Sequence, residues 1–291
     1  MARLGLAGMA GAGLAALRRY PRLVLALYAV QLITSAVAGL VVARGLAAVL
    51  AHRPAADAAA SGDLFALIVI VRDHAPLLSA LAWTCLALVI LYAVISWFTT
   101  AGLLATLTEG PRDRRATAQA FGAGAAANGL AFARLWLWSL IPYAVALFIT
   151  VLALGPLTGD LGDILHLGDL IGSLLPGLIP AALVWWIVNT AVDFARVNLV
   201  RRQRKSALRA LLRGFADIFT DWKPLPHAAF YYLLFLAVTA TFWAGTSGAA
   251  LSATGLLVIR QLVAVTRFCG KVWLHGGQVE LTRRRRDEPR A

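Results

Sequence analysis

Residues 76–107 read Pro76-Leu-Leu-Ser-Ala-Leu-Ala-Trp83-Thr-Cys85-Leu-Ala-Leu-Val-Ile-Leu-Tyr92-Ala-Val-Ile-Ser-Trp97-Phe-Thr-Thr-Ala-Gly-Leu-Leu-Ala-Thr-Leu107, a run without one Asp, Glu, Lys or Arg. Crossing a hydrocarbon core of about 30 Å takes about 20 helical residues. This run exceeds that length, so it spans with tilt or projects beyond the bilayer. Five other segments, 22–50, 131–154, 176–199, 226–245 and 250–278, have the same character. None alternates with period two as a barrel strand would, which leaves helices as the spanning structure. Pro142 and Pro180 fall inside two of them, where neighbouring helices absorb a kink. The sequence therefore predicts an all-α fold: a polytopic transmembrane helical bundle of six spans plus short amphipathic interfacial helices. Residues 1–281 form one transmembrane domain and 282–291 a basic cytoplasmic tail.

Composition agrees with that pattern. Of 291 residues, 60% are hydrophobic and 14% charged, with a mean hydropathy of +0.76, which excludes an ordinary water-soluble domain. The formal charge of +13 raises the question of nucleic acid, but the basic residues flank the apolar runs, where membrane topology accounts for them. No nucleic-acid partner is expected. Cys85 and Cys269 fall at different depths of different spans and read as small apolar residues. Ala36-Val37-Ala38 resembles a signal-peptide cleavage site, but the apolar run continues past it and the segment reads as an uncleaved first span.

Basic residues set the orientation, because those near span ends are retained in the cytoplasm. With both termini inside, 21 of the 27 Lys and Arg lie on the cytoplasmic side, including Arg18, Arg19, Arg22 and the cluster from Arg201 to Lys223. Arg44, Arg53 and Arg72 fall outside, and Arg260, Arg267 and Lys271 lie within the sixth segment. Three segments read as helices at the membrane surface: 2–17, 115–130 and Ser206–Trp222, each ahead of an odd-numbered span. In the third, Leu208, Leu211, Leu212, Phe215, Ile218 and Phe219 recur at helical spacing while Arg209, Arg213 and Asp217 step along another face, and Ser206 is placed as N-cap. Basic surface helices of this kind imply anionic lipid headgroups of the cytoplasmic leaflet as partners.

On the other side, 51–63 is an Ala-rich loop in which Ser61 is placed to cap a short helix from Asp63. The acidic loop 155–175 carries Asp160, Asp163, His166 and Asp169. Its three Gly-Asp pairs make solvated turns, and its spacing fits no metal loop, so no metal is expected.

Enzyme motifs are absent. Gly11-Ala-Gly13-Leu-Ala-Ala16 fits GxGxxA but follows no strand. There is no HExxH, GxSxG, GxxxxGK[ST] or CxxC, and His52, His74, His166, His227 and His275 are dispersed. No catalytic residue and no cofactor is expected. The informative residues are polar ones inside the spans. Arg260, Arg267, Lys271 and Gln278 lie within roughly 40° of one helical line, and Asn189, Asp193 and Arg196 follow at four and three residues on one face of span four. An ionised group at the bilayer centre is worth about 3 kcal/mol against insertion, so these groups face protein or water. Asp193 and Arg267 both lie about 17 residues, or roughly 25 Å, from the outer ends of their spans, which predicts that they pair, with Arg196 or Asn189 completing the network.

Two readings of this intramembrane polar cluster stand side by side. One is a network that only fixes helix register. The other is a cavity between spans four and six whose cations attract an anionic or amphiphilic substrate. Trp136, Trp138, Trp185, Trp186, Trp222 and Trp273 read as interface anchors first and as cavity lining second.

Asp193-Phe-Ala-Arg196-Val-Asn-Leu-Val200 with Ser206-Ala-Leu-Arg-Ala-Leu211, and Arg267 midway through the last span, resemble a broad group of uncharacterised bacterial six-span membrane proteins. That group is distantly similar to the membrane domain attached to some glycerophosphodiester phosphodiesterases. The resemblance covers about the last third of the chain. It implies a helical architecture in a bacterial cytoplasmic (inner) membrane, and no phosphodiesterase activity, because the soluble catalytic domain is missing. The function expected from the sequence is a non-catalytic integral membrane protein with a scaffold or accessory role toward an unidentified protein partner. The alternative is a transporter or lipid-handling protein.

Overall fold

The computed structural model describes residues 5–50, 72–154, 167–201, 206–246 and 252–287. They form eight helices with no strand among the described residues: α1 (Leu6–Arg19), α2 (Pro21–Leu50), α3 (Ala75–Glu109), α4 (Arg114–Leu154), α5 (Leu167–Arg201), α6 (Ala207–Thr220), α7 (Pro224–Thr246) and α8 (Ala253–Asp287). Five of these, α2, α3, α4, α5 and α7, are long and apolar enough to cross a membrane.

Helix boundaries have local causes. Pro21 and Pro224 open α2 and α7, where proline's fixed φ suits the first turn. Asp113 accepts from the Ala116 amide at 2.6 Å and caps α4, Ser252 does the same for Gly255 of α8 at 3.1 Å, and Ser206 caps α6 as expected, accepting from Arg209 N at 3.4 Å. Gly110, at φ +66°, ends α3 in the left-handed region that favours glycine. The Arg19 guanidinium and the Tyr20 hydroxyl donate to Gly110 and Pro111 carbonyls across that turn. Burial raises the Tyr20 hydroxyl above its ordinary pKa, with Arg19 opposing.

The chain divides into two compact units, one of Met1–Leu25 with Trp97–Ala291 and one of Ala26–Ser96. In the second, a Cβ on Gly45 would stand 2.7 Å from the Leu81 side chain. The first holds a core in which Leu104, Phe132, Leu135, Val192, Leu199 and Leu211 are buried together. Its helices meet through small residues: Gly124 sits against Ala105, Gly129 against the Phe98 ring, and Gly214 against the Ala191 backbone. Close backbone approach of this kind is how helices associate where lipid is as apolar as leucine.

Several boundaries depart from the sequence reading. Residues 115–130 are not a separate surface helix but the first half of the 41-residue α4. Alanine favours continuation, and Gly124 and Gly129 are held by α3, so nothing breaks the helix there. Helix α5 begins at Leu167, which makes Asp169 helical rather than part of a turn. Helix α8 runs through the boundary expected at 281 and carries the basic tail to Asp287. The helix expected from Asp63 and the loop residues Asp160, Asp163 and His166 lie outside the described residues.

Helix α6 also distributes its faces differently. Ala207, Ala210, Leu211, Gly214, Asp217 and Ile218 are buried, whereas Leu212, Phe219 and nearby Trp222 are 62%, 77% and 66% exposed. Half of the expected apolar stripe faces outward. Asp217 is buried because Asn198 of α5 donates to it at 2.8 Å and Arg213 at 3.2 Å.

Candidate functional site

The polar cluster assembles on α5, whose three-and-four spacing turns Asn189, Asp193 and Arg196 to one face. Asp193 is buried and Arg196 half-buried, and their ion pair closes at 2.7 Å within the helix. Asn189 accepts from the Tyr143 hydroxyl of α4 at 2.6 Å. One turn away, Tyr143 stacks on Trp185 with centroids 5.5 Å apart, and the Trp185 indole donates to Thr150 at 3.0 Å. Trp185 therefore braces the network, in addition to any anchoring role.

Helix α8 supplies the other side. Lys271 donates to Thr100 of α3 at 2.9 Å. His275 and Gln278 are buried and share a hydrogen bond of 2.9 Å, and Thr282 donates to the Gln278 carbonyl at 2.6 Å. The Asp193 charge reaches Lys271 and His275 of α8, Tyr231 and Tyr232 of α7, and Tyr143 of α4. Hydrogen bonds thus tie α5 to α4 and α8 to α3, with the Asp193–Arg196 pair on α5.

The expected pairing of Asp193 with Arg267 is not the one formed. Among the described residues the ion pair of Asp193 is with Arg196, three residues away on its own helix, where no interhelical register has to be met. Arg267 is exposed, although its charge reaches Tyr231 and Lys271, and Arg260 is exposed further along α8. Of the six expected residues, Asn189, Asp193, Arg196 and Lys271 belong to the network and Arg260 and Arg267 border it or lie outside.

Sequence reasoning missed Thr100, Tyr143 and His275. Uncharged and far apart in sequence, they carry no spacing signal, and only the packing of α3, α4 and α8 against α5 brings them in. The Asn198–Asp217 bond was equally hidden, because Asp217 lies on a face that reads as solvated.

Chemically, most of the buried groups are engaged with one another, while the Gln278 amide nitrogen is buried with no hydrogen-bond partner among the described residues. One carboxylate is paired with the guanidinium of Arg196, and the Lys271 amine is held by Thr100, with Arg267 exposed on the same helix. A cavity of about 430 Å³ lies nearby, walled by α1, α7 and α8, with no α5 side chain in its lining. Among the described residues no three His, Cys, Asp or Glu side chains come together as a metal site would need. No protein-family model, no curated protein and no solved structure matches this chain.

Proposed function

We propose that this chain is a six-span protein of a bacterial cytoplasmic membrane, with both termini in the cytoplasm, that acts without catalysis as a scaffold or accessory subunit for a membrane partner. Helix α8 is the sixth span in this reading, its Arg260 and Arg267 facing lipid headgroups, water or partner rather than hydrocarbon. The observation that carries the reading is α6. One face, with Ala207, Ala210, Leu211, Gly214, Asp217 and Ile218, docks on the core while Leu212, Phe219 and Trp222 stand exposed beside Arg209 and Arg213. An amphipathic helix so placed lies in the leaflet interface, apolar residues in the acyl region and basic ones on anionic headgroups. The polar cluster supports the same reading, since hydrogen bonds that join α5 to α4 and α8 to α3 fix helix positions. The resemblance of 193–211 to bacterial six-span membrane proteins agrees with it.

The test has two parts. Single cysteines placed at residues 57, 165 and 291 in a chain lacking Cys85 and Cys269 are labelled with an impermeant maleimide: 57 and 165 should react from outside and 291 only after permeabilisation. Purification of the tagged chain from its native membrane in polymer-bounded lipid particles should then recover a stoichiometric protein partner. Uptake or export of a solute by proteoliposomes holding the chain alone would overturn the accessory role in favour of transport.

A further inference from the structure

The seam where α1 meets α7 and α8 encloses the cavity of about 430 Å³, a volume typical of sites for small ligands. Its wall includes Leu14 and Leu17 of α1, Phe230 and Leu234 of α7, and Thr266 and Cys269 of α8. Two of the polar groups that border it are already satisfied: the Trp273 indole donates to the Ala10 carbonyl at 3.0 Å and the Thr266 hydroxyl to the Leu262 carbonyl at 2.9 Å. What remains is an apolar surface.

Its length and its opening identify the occupant. Along α7 the lining runs from Phe230 to Val238, eight residues or about 12 Å, close to one leaflet's half of a core of about 30 Å. Phe230 and Leu234 are half exposed or more, so the cavity is open along α7. At its α1 edge lies Arg18, which follows Leu14 by four residues and Gly11 by seven and so continues the lining face of that helix. Arg18 is exposed and makes no ion pair or hydrogen bond among the described residues. An apolar slot with an unengaged cation on the same face of α1, one residue past the lining Leu17, fits a molecule with an acyl chain and an anionic head.

We propose that this cavity holds one acyl chain of an anionic phospholipid of the cytoplasmic leaflet, with its phosphate at Arg18. The proposal rests on the membrane reading above for the direction of α7 through the bilayer, and not on the accessory role. Gly11 offers a clean way to test it. It lines the cavity, yet a Cβ there meets no atom within 4 Å, so Gly11→Phe fills the space without pressing on the helix packing.

The full chain, purified in detergent, is titrated with phosphatidylglycerol, phosphatidylcholine of the same chains, or oleate, and bound molecules are counted by native mass spectrometry. The wild-type chain should retain one phosphatidylglycerol that Gly11→Phe does not, with the thermal midpoint of the variant no lower than wild type. Arg18→Gln should keep the site but lower the preference for phosphatidylglycerol over phosphatidylcholine about fivefold, as expected for one basic residue at an anionic surface. In a Cys85→Ala background, phosphatidylglycerol should slow alkylation of Cys269 in the wild-type cavity and leave it unchanged in Gly11→Phe. Equal lipid retention by wild type and Gly11→Phe would overturn the site. Oleate outcompeting phosphatidylglycerol would overturn the phospholipid, as would recovery of a peptide in its place. Failure of the chain to float with liposomes would instead overturn the membrane reading beneath it.

Discussion

Helix α8 has two halves with opposite surroundings. Towards its start, Leu257 and Leu262 are 56% and 61% exposed, and Arg260 and Arg267 are exposed with them. From Val272 to Thr282 nearly every side chain is buried, including His275 and Gln278. The first half exposes leucine and arginine alike, and the second half buries polar and apolar side chains together. The difference teaches what covers each half: no described part of the protein covers Leu257 and Leu262, whereas the His275 ring and the Gln278 side-chain carbonyl oxygen meet each other inside the protein. The inner half is also where α1 lies down on α8. A Cβ on Gly277 would stand 2.8 Å from the Met9 carbonyl and 2.6 Å from the His227 ring, and Met9, Phe194 and Leu281 bring α1, α5 and α8 together.

Breaking the inner half should have the largest effect. Gly277→Leu must displace the α1 backbone and is expected to destabilise by about 3 kcal/mol, the upper range for overpacking, read as a lowered midpoint in chemical unfolding of the detergent-solubilised chain. Next comes the buried carboxylate of α5. Asp193→Ala leaves Arg196 without its ion-pair partner and should lose about 2 kcal/mol in the same measurement. Charge exchange sharpens the point: Asp193→Arg with Arg196→Asp should recover part of that loss, while Asp193→Arg with Arg267→Asp should recover none, because Arg267 is not the ion-pair partner. Lys271→Met removes one hydrogen bond to Thr100 and should be worth about 1 kcal/mol or less. In the outer half, Leu262→Ala should stay within about 0.5 kcal/mol, since lipid replaces the lost methyl groups. A loss there as large as that of Gly277→Leu would mean that protein, not lipid, covers the outer half.

The sequence was readable wherever the property was local. The apolar runs of α2, α3 and α7 are recovered within a few residues, and Ser206 caps α6 where its position before Ala207 placed it. Asn189, Asp193 and Arg196 share a face because helical spacing alone puts them there. Reading failed where a residue's role depends on a distant neighbour. Asp217 shares a four-residue step with Arg213, which looks like a solvated face until α5 is found to cover it. The Asp193–Arg267 pairing was drawn from equal depth, and equal depth says nothing about which side of a helix faces which neighbour.

What the sequence determined by itself is that this chain is helical and built for a bilayer. Length, apolar character and the absence of period-two alternation are properties of single segments, and hydrocarbon leaves such segments no other way to satisfy their backbone. What only the tertiary structure decided is where the polar groups end up: Lys271 on Thr100, Tyr143 on Asn189, Asn198 on Asp217, and a cavity between α1, α7 and α8. Those outcomes depend on rotation and register between helices. Register is set by glycine contacts and side-chain fit spread over many residues, each too small to announce itself in the sequence.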